Sequence, residues 1–293
     1  MSTIPSEIVP TGNPMMSVPV YRHVNVSRVP TTCMRGGTSE AVRCQAGAWE
    51  RAFITWRSLR NVIFALVLFN AKNTRAEEIV FFDGKDLSAW REPLGAWSVV
   101  GSVAIDAQNP KSFTVQAGQG VMLSNTEGKS ANITSKKEHG DAKIHIEFNI
   151  PKASNSGIYV QGRYEVQVLD SFGKASIGVH DCGVIYERWD IKRGKGNERY
   201  EGTTPSANAS KAAGEWQSFD INFRAARFDD AGKKIENAKF LQIVFNGRVI
   251  HENVEVTGPT RGSTFENEAT TGPLIIQGDH GPVAYRNLIV ITP

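Results

Sequence analysis

The sequence predicts an all-β fold, a sandwich or jelly roll, and three observations carry that prediction. Short runs of alternating apolar and polar residues recur after residue 76 at roughly ten-residue spacing, separated by Gly, Asn, Asp and Pro. No long stretch has the apolar period of an amphipathic helix, and strands do not alternate with helical segments. Asn246-Gly247 stands between apolar runs, and Asn-Gly is the favoured two-residue hairpin turn. Together these features are typical of two packed antiparallel sheets.

The predicted strands form one series along the chain. The first predicted element, residues 79–90, is a strand followed by a turn at Gly84 and an aromatic anchor at Trp90. The further predicted strands cover residues 97–100, 121–123, 143–150, 157–160, 164–169, 183–186, 216–223, 240–246, 274–277 and 288–291. Two long polar segments, residues 192–214 and 257–272, interrupt the series and are typical of functional lids or disordered loops. Because neither segment links the series to a second hydrophobic core, we expect a single domain over residues 77–293.

The net charge of +3 conceals an uneven distribution of charged residues. Of 33 basic and 30 acidic residues, nine basic and three acidic ones lie within residues 1–76, so the remainder is slightly acidic. No basic stripe with interleaved aromatic residues is evident in that remainder, which argues against nucleic acid as a partner. A hydrophobic content of 40% and a charged content of 22% are those of an ordinary globular protein.

The basic excess belongs to a leader with the parts of a secretory signal. Residues 56–60 (WRSLR) are basic, residues 62–69 (VIFALVLF) are apolar, and a polar stretch ends at Thr74-Arg75-Ala76. A positive segment, a short apolar segment and small residues at −3 and −1 are typical of a signal peptide, and this apolar segment is too short to span a bilayer. We therefore predict a signal peptide over residues 56–76, a secreted or periplasmic protein, and no membrane span in the mature chain.

Residues 1–55 have no periodicity and many Ser, Thr and Pro, so we expect a disordered extension or a start codon placed too far upstream. The alternative interpretation of the leader is a disordered tail followed by one short buried helix. Removal of residues 1–76 leaves Cys182 as the single cysteine. One thiol cannot form an internal disulfide, so the cysteine content does not reveal the compartment.

The segment YEVQVLDS, which starts at Tyr164, alternates like a half-buried strand. The alternation places the tyrosine and both valines on one face and Glu165 and Gln167 on the other, with Asp170 just beyond. An exposed polar sheet face is the simpler interpretation. The alternative is that the strand aims a carboxylate and an amide at a site.

Two turns hold further polar candidates. Asn155 opens the run NSGIY, where turn chemistry alone explains Asn, Ser and Gly. His280 stands between glycines in QGDHGP, which separates two predicted strands. A histidine there is exposed enough to titrate or to bind a metal, although a loop histidine is more often a surface residue.

The order of six segments carries a family resemblance: FFDGKDLSAW, ASNSGIYVQGRYEVQVLDS, GVIY, AAGEWQ, FNGRVI and PLIIQGDHGPVAYRNLIV. In this order they closely resemble the 3-keto-disaccharide hydrolase domain family, over residues 79–291. The resemblance implies a concanavalin A-like jelly roll of two antiparallel sheets. It also implies a secreted bacterial protein that processes glycans or oxidised glycosides.

A fold of this type often carries β-glucanases, which use two glutamates two residues apart on one strand, with their carboxyl groups roughly 5 Å apart. The matching pair here is Glu165 and Gln167. Glutamine cannot supply the second carboxylate, and Asp170 has the opposite parity unless the strand bulges. Ordinary two-carboxylate retention is therefore disfavoured.

A 3-keto-glycoside offers a route with one carboxylate, because the ketone acidifies the C2 proton and the C1 leaving group lies β to the resulting enolate. Elimination followed by hydration, or net hydrolysis, needs a base, a group that stabilises the enolate oxygen and an acid. We expect Glu165 to be the base or a metal ligand, His280 the acid or a second ligand, and Asp170 a further catalytic or metal-binding carboxylate. The expected substrate-binding residues are Asn155, Gln167, Tyr186, Gln277, Arg286 and Trp189.

Competing interpretations stay open for these residues. Glu165 could pair with Arg163 or Arg286, and Arg286-Asn287 could clamp the last strand. The whole domain could be a non-catalytic carbohydrate-binding module. A divalent metal is an open question, since no ligand motif such as H-E-x-x-H is present. No glycine-rich nucleotide fingerprint opens a helix either, so a separate sugar 3-dehydrogenase would have to supply the ketone.

Overall fold

The computed structural model describes residues 76–293. The predicted extension over residues 1–55, and the predicted signal peptide up to its final residue, Ala76, lie outside the described residues. Within the described residues, no helix is long and apolar enough to cross a membrane.

The described chain consists of β-strands, with one short 3₁₀ helix at Ile191–Arg193. The strands are β1 (Glu77–Phe82), β2 (Ser98–Ile105), β3 (Phe113–Leu123), β4 (Ile133–His139), β5 (Ala142–Asn149), β6 (Asn155–Val160), β7 (Tyr164–Leu169), β8 (Arg188–Trp189), β9 (Arg199–Tyr200), β10 (Gln217–Arg224), β11 (Arg227–Phe228), β12 (Lys234–Glu236), β13 (Ala238–Phe245), β14 (Arg248–Val256), β15 (Gly272–Ile276) and β16 (Ala284–Thr292).

Two antiparallel sheets make the sandwich, which confirms the predicted jelly-roll class. The larger sheet has eight strands in the order β14-β13-β10-β5-β16-β3-β2, with β1 also paired to β16. The smaller sheet has the order β4-β15-β6-β7. Two short ribbons, β8–β9 and β11–β12, lie outside these sheets.

Apolar side chains from both sheets pack into one core. In β10 the inward residues alternate with outward ones, so that Phe219, Ile221 and Phe223 are buried. The Phe219 ring stacks on Phe245 with centroids 4.5 Å apart. The predicted anchor Trp90 is fully buried in this core.

The predicted Asn-Gly hairpin is confirmed between β13 and β14. Phe245 pairs with Arg248 across the turn, and Asn246 and Gly247 have positive φ angles of 50° and 80°. Positive φ at both central residues is the requirement of a type I′ turn, which asparagine and glycine meet at least steric cost.

The structure differs from the prediction at several elements, and the short strands β8, β11 and β12 were not predicted. Strand β4 was not predicted, because its sequence ITSKKEH carries mainly polar residues. The predicted strand at residues 183–186 is instead an irregular segment that bonds along the free edge of β7, with Gln167 N–H donating to Val184 O at 2.9 Å. The polar segment 192–214 contains the short strand β9. Residues 183–186 thereby extend the small sheet beyond β7, and Tyr186 at their end lines the pocket that contains Glu165.

Candidate active site

Three neighbouring strands place polar side chains on the same face of the small sheet. In the β6–β7 pair, Tyr159 lies opposite Glu165 and Gly157 lies opposite Gln167. On the other side of β6, Gln277 N–H donates to Gly157 O at 2.9 Å, just beyond the end of β15. Because successive residues of a strand point to opposite faces, this register gathers a carboxyl, a phenol and two amides on one face.

A cavity of about 230 Å³ lies over this face. It is lined by Asn155, Tyr159, Glu165, Gln167, Tyr186, Arg261, Gly262, Gln277 and His280. Six residues predicted from the sequence therefore share one pocket, although they come from four separate segments of the chain. A volume of this size suits one pyranose ring.

Larger clefts of about 470 and 390 Å³ lie on the eight-stranded sheet. They share Lys143, Asn222 and Ile291, and none of the titratable residues that line them is buried. The smaller cavity is the better candidate because it combines convergent polar groups with a buried carboxyl.

Glu165 is buried, with 3% of the residue exposed. The missing side chain of Gly157 provides the space for it, since a Cβ atom on Gly157 would lie 2.3 Å from Glu165 Oε1. Within the described residues, neither Arg163 nor Arg286 pairs with Glu165. Arg163 donates to backbone oxygens such as Gln161 O, at 2.8 Å.

The interpretation of this strand as an exposed polar face is wrong, because both faces of β7 are buried. The predicted lid at residues 257–272 is fastened to the strand by Thr260. The Thr260 hydroxyl accepts from Glu165 N–H at 3.1 Å and donates to Arg163 O at 3.0 Å. In the same loop, a Cβ atom on Gly262 would lie 3.3 Å from the Tyr159 hydroxyl, so the lid closes against the pocket.

Burial raises the pKa of Glu165 to about 8. The Tyr159 hydroxyl beside the carboxylate opposes that shift, whereas the negative charges of Glu187 and Asp279 add to it. Burial also raises the pKa of Tyr159, and the neighbouring Glu165 raises it further. The phenol therefore stays protonated at neutral pH and can donate a hydrogen bond to Glu165 when that carboxyl ionises.

His280 lies at the mouth of the pocket, and half of its side chain is exposed. Its Nδ1 lies 2.5 Å from Asp279 Oδ1. A carboxylate on Nδ1 fixes the ring and leaves Nε2 free to exchange a proton with a ligand.

Tyr186 follows the irregular segment on the edge of β7, and its N–H donates to Glu165 O at 3.0 Å. Burial raises the pKa of its phenol, and the charges of Glu187 and Glu165 add to the rise. Its ring lies 5.4 Å from that of His180, which packs it in place.

The structure places Asp170, Arg286 and Trp189 outside the pocket. Asp170 follows the end of β7, and its carboxylate accepts from Ala153 N–H at 3.0 Å. Trp189 is 42% exposed and reaches the pocket only through Arg261, whose guanidinium lies 4.2 Å over its ring.

Arg286 belongs to β16 of the other sheet, where its Nε donates to Glu147 at 2.7 Å and its guanidinium lies 4.1 Å over the ring of Trp216. Asn287 Nδ2 donates to the same carboxylate at 2.7 Å. Arg286 and Asn287 therefore clamp the last strand, as the alternative interpretation of these two residues predicted.

The residues do not fit a metal site built from Glu165, Asp170 and His280. Among residues 76–293 there is no group of three or more His, Cys, Asp or Glu side chains suited to hold a metal ion.

Sequence reasoning missed five residues of the site, one of which is Gly262 of the predicted lid. Tyr159 and Gly157 have the same parity as Asn155 in the run NSGIY, so the strand pattern could have found them. Arg261 and Thr260 lie in the predicted lid, but no periodicity marks which loop side chains turn inward. Their positions follow from the hydrogen bonds that fasten the loop to β7.

The fold and the polar, sugar-sized pocket define a carbohydrate-processing jelly roll. The chain belongs to the 3-keto-alpha-glucoside-1,2-lyase-like domain family, whose model matches residues 77–291. This membership confirms the resemblance found in the sequence. No curated protein sequence matches the chain.

Several solved structures are similar to this chain. One is a candidate glycosyl hydrolase from Parabacteroides distasonis ATCC 8503, with 30% identity, a TM-score of 0.53, and coverage of 74% of this chain and 84% of that chain. A second candidate glycosyl hydrolase from that organism has 16% identity, a TM-score of 0.48, and coverage of 74% and 100%. An endo-beta-1,4-glucuronan lyase from Trichoderma reesei has 12% identity, a TM-score of 0.38, and coverage of 73% and 95%.

Proposed function

We propose that the protein cleaves the glycosidic bond of 3-keto-glycosides or 3-keto-disaccharides, by elimination and hydration or by net hydrolysis. One observation carries the proposal: a single buried carboxyl, Glu165, faces a sugar-sized pocket and has a pKa raised to about 8. A carboxyl in this state is a stronger base than an ordinary glutamate, and the pKa lies near the operating pH, where general bases work best. The family, the 3-keto-alpha-glucoside-1,2-lyase-like domain, supports the substrate class.

In the proposed reaction, the ionised Glu165 removes the C2 proton of the keto-sugar. The C–H electron pair forms a C2–C3 double bond, and the ketone oxygen becomes an enolate. Collapse of the enolate restores the ketone, forms a C1–C2 double bond and expels the C1 oxygen with its bonding pair. Addition of water across that double bond completes net hydrolysis.

The amides of the pocket suit the roles of binding sugar hydroxyls and of stabilising the enolate oxygen. Gln167 and Gln277 stand on either side of Gly157 and face the same cavity. The Asn155 side-chain oxygen is buried and has no hydrogen-bond partner among the described residues. A sugar hydroxyl would satisfy it, since an unpaired buried acceptor is costly.

His280 is the group best placed to protonate the departing C1 oxygen, because it lies at the mouth where the attached group leaves the pocket. The contact between Nδ1 and the Asp279 carboxylate holds the ring in place. The Tyr159 phenol, beside Glu165, suits the role of holding the carboxylate in line with the C2 proton.

We test the proposal by incubating the protein with a 3-keto-glucoside that carries a chromogenic aglycone. Glu165→Gln should lower aglycone release by about 10²–10⁴-fold, the usual contribution of a positioned base. It should also abolish exchange of the C2 proton with solvent deuterium. Glu138→Gln is the matched control, since Glu138 is a half-exposed strand glutamate in the same sheet. An undiminished rate in Glu165→Gln would refute the proposal.

Two further outcomes of that assay are informative. Sugar binding without aglycone release by the unmodified protein would favour the alternative function, a non-catalytic carbohydrate-binding module. Release that a chelator abolishes would reinstate a metal, which the described side chains do not favour.

The compartment and the supplier of the substrate also belong to the proposal. The pattern of residues 56–76 supports secretion or a periplasmic location. The ketone of the substrate requires an earlier oxidation, so a separate sugar 3-dehydrogenase would act upstream. Amino-terminal sequencing of the exported protein tests the first point, and an unprocessed intracellular chain would contradict it.

A further inference from the structure

Arg261 lies at the rim of the pocket that holds Glu165. Its side chain is 42% exposed, and its guanidinium lies 4.2 Å over the ring of Trp189, which is itself 42% exposed. This cation–π contact restrains the position of the guanidinium group at the rim.

Arg261 does not have a carboxylate partner to itself. Glu187 is buried and is the shared partner of Arg199 at 3.3 Å, Arg261 at 3.6 Å and His180 at 3.6 Å. Arg261 therefore shares its one carboxylate partner within 4 Å, among the described residues, with a second guanidinium group. Within the described residues the Arg261 side chain donates no hydrogen bond, so its donors are available to a ligand.

The segment that carries Trp189 is rich in basic residues. Residues 188–199 hold five basic and two acidic side chains, whereas the chain after residue 76 is slightly acidic. The average charge of the chain after residue 76 does not reveal this local excess. The segment forms the β8–β9 ribbon and its connection, with Arg199 pairing opposite Trp189. The basic cluster therefore begins beside the pocket.

We propose that Arg261, stacked on Trp189, forms a subsite for a carboxylate on the group attached to the keto-sugar, so that the preferred substrates are acidic glycosides. The inference rests on the proposed function. A cavity of about 230 Å³ holds one ring, so the attached group must leave over the rim, where Arg261 lies. The planar fork of arginine donors matches a carboxylate in bidentate geometry.

The test compares disaccharides that lack the 3-keto group, so that no cleavage interferes. Maltobionic and cellobionic acids are titrated by calorimetry against their neutral counterparts, maltose and cellobiose. We expect at least one acid to bind about tenfold more tightly than its neutral partner, as one charge-assisted contact provides. Raising the salt concentration should shrink that difference, because the site is partly exposed. Competition by sulfate would show that the subsite accepts any oxyanion.

Variants locate the effect. Arg261→Gln should remove the preference for the acid while neutral sugar binding persists, and Trp189→Leu should reduce it. Arg248→Gln, at an exposed arginine of the β13–β14 hairpin, is the matched control and should retain the preference. Equal binding of acid and neutral sugars, absence of acid binding, or a preference that survives Arg261→Gln would overturn the inference. None of these results bears on the proposed function, which is tested separately by aglycone release in Glu165→Gln.

Discussion

Glu147 on β5 and Glu165 on β7 are both strand glutamates, but they lie on different sheets and in opposite surroundings. Burial would raise the pKa of Glu147, yet hydrogen bonds from Asn287 and Arg286 outweigh it and lower the pKa. Glu165 has no cationic partner among the described residues, and burial raises its pKa to about 8. A carboxylate that is paired with a cation stabilises the fold, whereas a buried carboxyl that lacks a cationic partner is available for chemistry.

The same contrast separates the arginines. Arg286 is committed to Glu147 and Trp216, which explains why the structure does not bring it to the pocket. Arg261 shares its carboxylate with Arg199 and stays half-exposed at the rim. For these two arginines, the extent to which a guanidinium group is already paired indicates a binding role better than its position on a predicted strand does.

After Glu165→Gln itself, the largest effect on the rate should come from filling the space that Glu165 occupies. Gly157→Ala would put a Cβ atom 2.3 Å from Glu165 Oε1 and force the carboxylate to move. Displacement of a catalytic group by about 1 Å costs on the order of 100-fold in rate. We expect a loss of that size in aglycone release, with the fold preserved by circular dichroism.

Gly178→Ala is the matched control, since its added Cβ would make only ordinary contact, 3.4 Å from Asp181 Oδ2. Full activity in Gly157→Ala would break the link between the pocket geometry and the reaction. Equal losses in both variants would point to a general effect on the fold.

A second prediction concerns the pH dependence of the rate. If Glu165 is the base, only its ionised form reacts, and its pKa is raised to about 8. When removal of the C2 proton limits the rate, kcat/KM should therefore rise about tenfold per pH unit below that pKa and level off above it. A rate that falls between pH 6 and pH 8 would instead assign Glu165 as the acid.

Much of the fold and part of the site could be predicted from local patterns. Alternation along β7 separates Glu165 and Gln167 from the valines, and Asn246-Gly247 specifies its hairpin through backbone conformation alone. The polar strand β4 could not be predicted this way, because its place depends on pairing with β15. The clamp on Glu147 likewise depends on the register that sets Arg286 opposite it across two strands distant in sequence.

The two glutamates can be compared most directly through stability, because their contributions to the free energy of unfolding should respond to pH with opposite signs. The folded state of Glu165 binds a proton more tightly than the unfolded chain does, so the free energy of unfolding falls as pH rises from about 4.5 to 8, by at most about 1.4 kcal/mol per unit. Glu165→Gln removes that dependence and should stabilise the protein progressively across this window. Glu147 has a lowered pKa, so its stabilisation is present above the unfolded pKa and is lost as pH falls through the folded one.

Glu147→Gln should therefore cost about 1–2 kcal/mol at neutral pH, through the weakened hydrogen bonds to Arg286 and Asn287, and less in acid. Urea unfolding of the unmodified protein and both variants at pH 4, 6 and 8 measures the two signs. If both variants are destabilised at pH 8, Glu165 has an ionic partner in the folded protein and the distinction between the sheets fails. If Glu165→Gln gains stability while losing activity, the buried carboxyl is retained at the expense of the fold, as expected of a catalytic group.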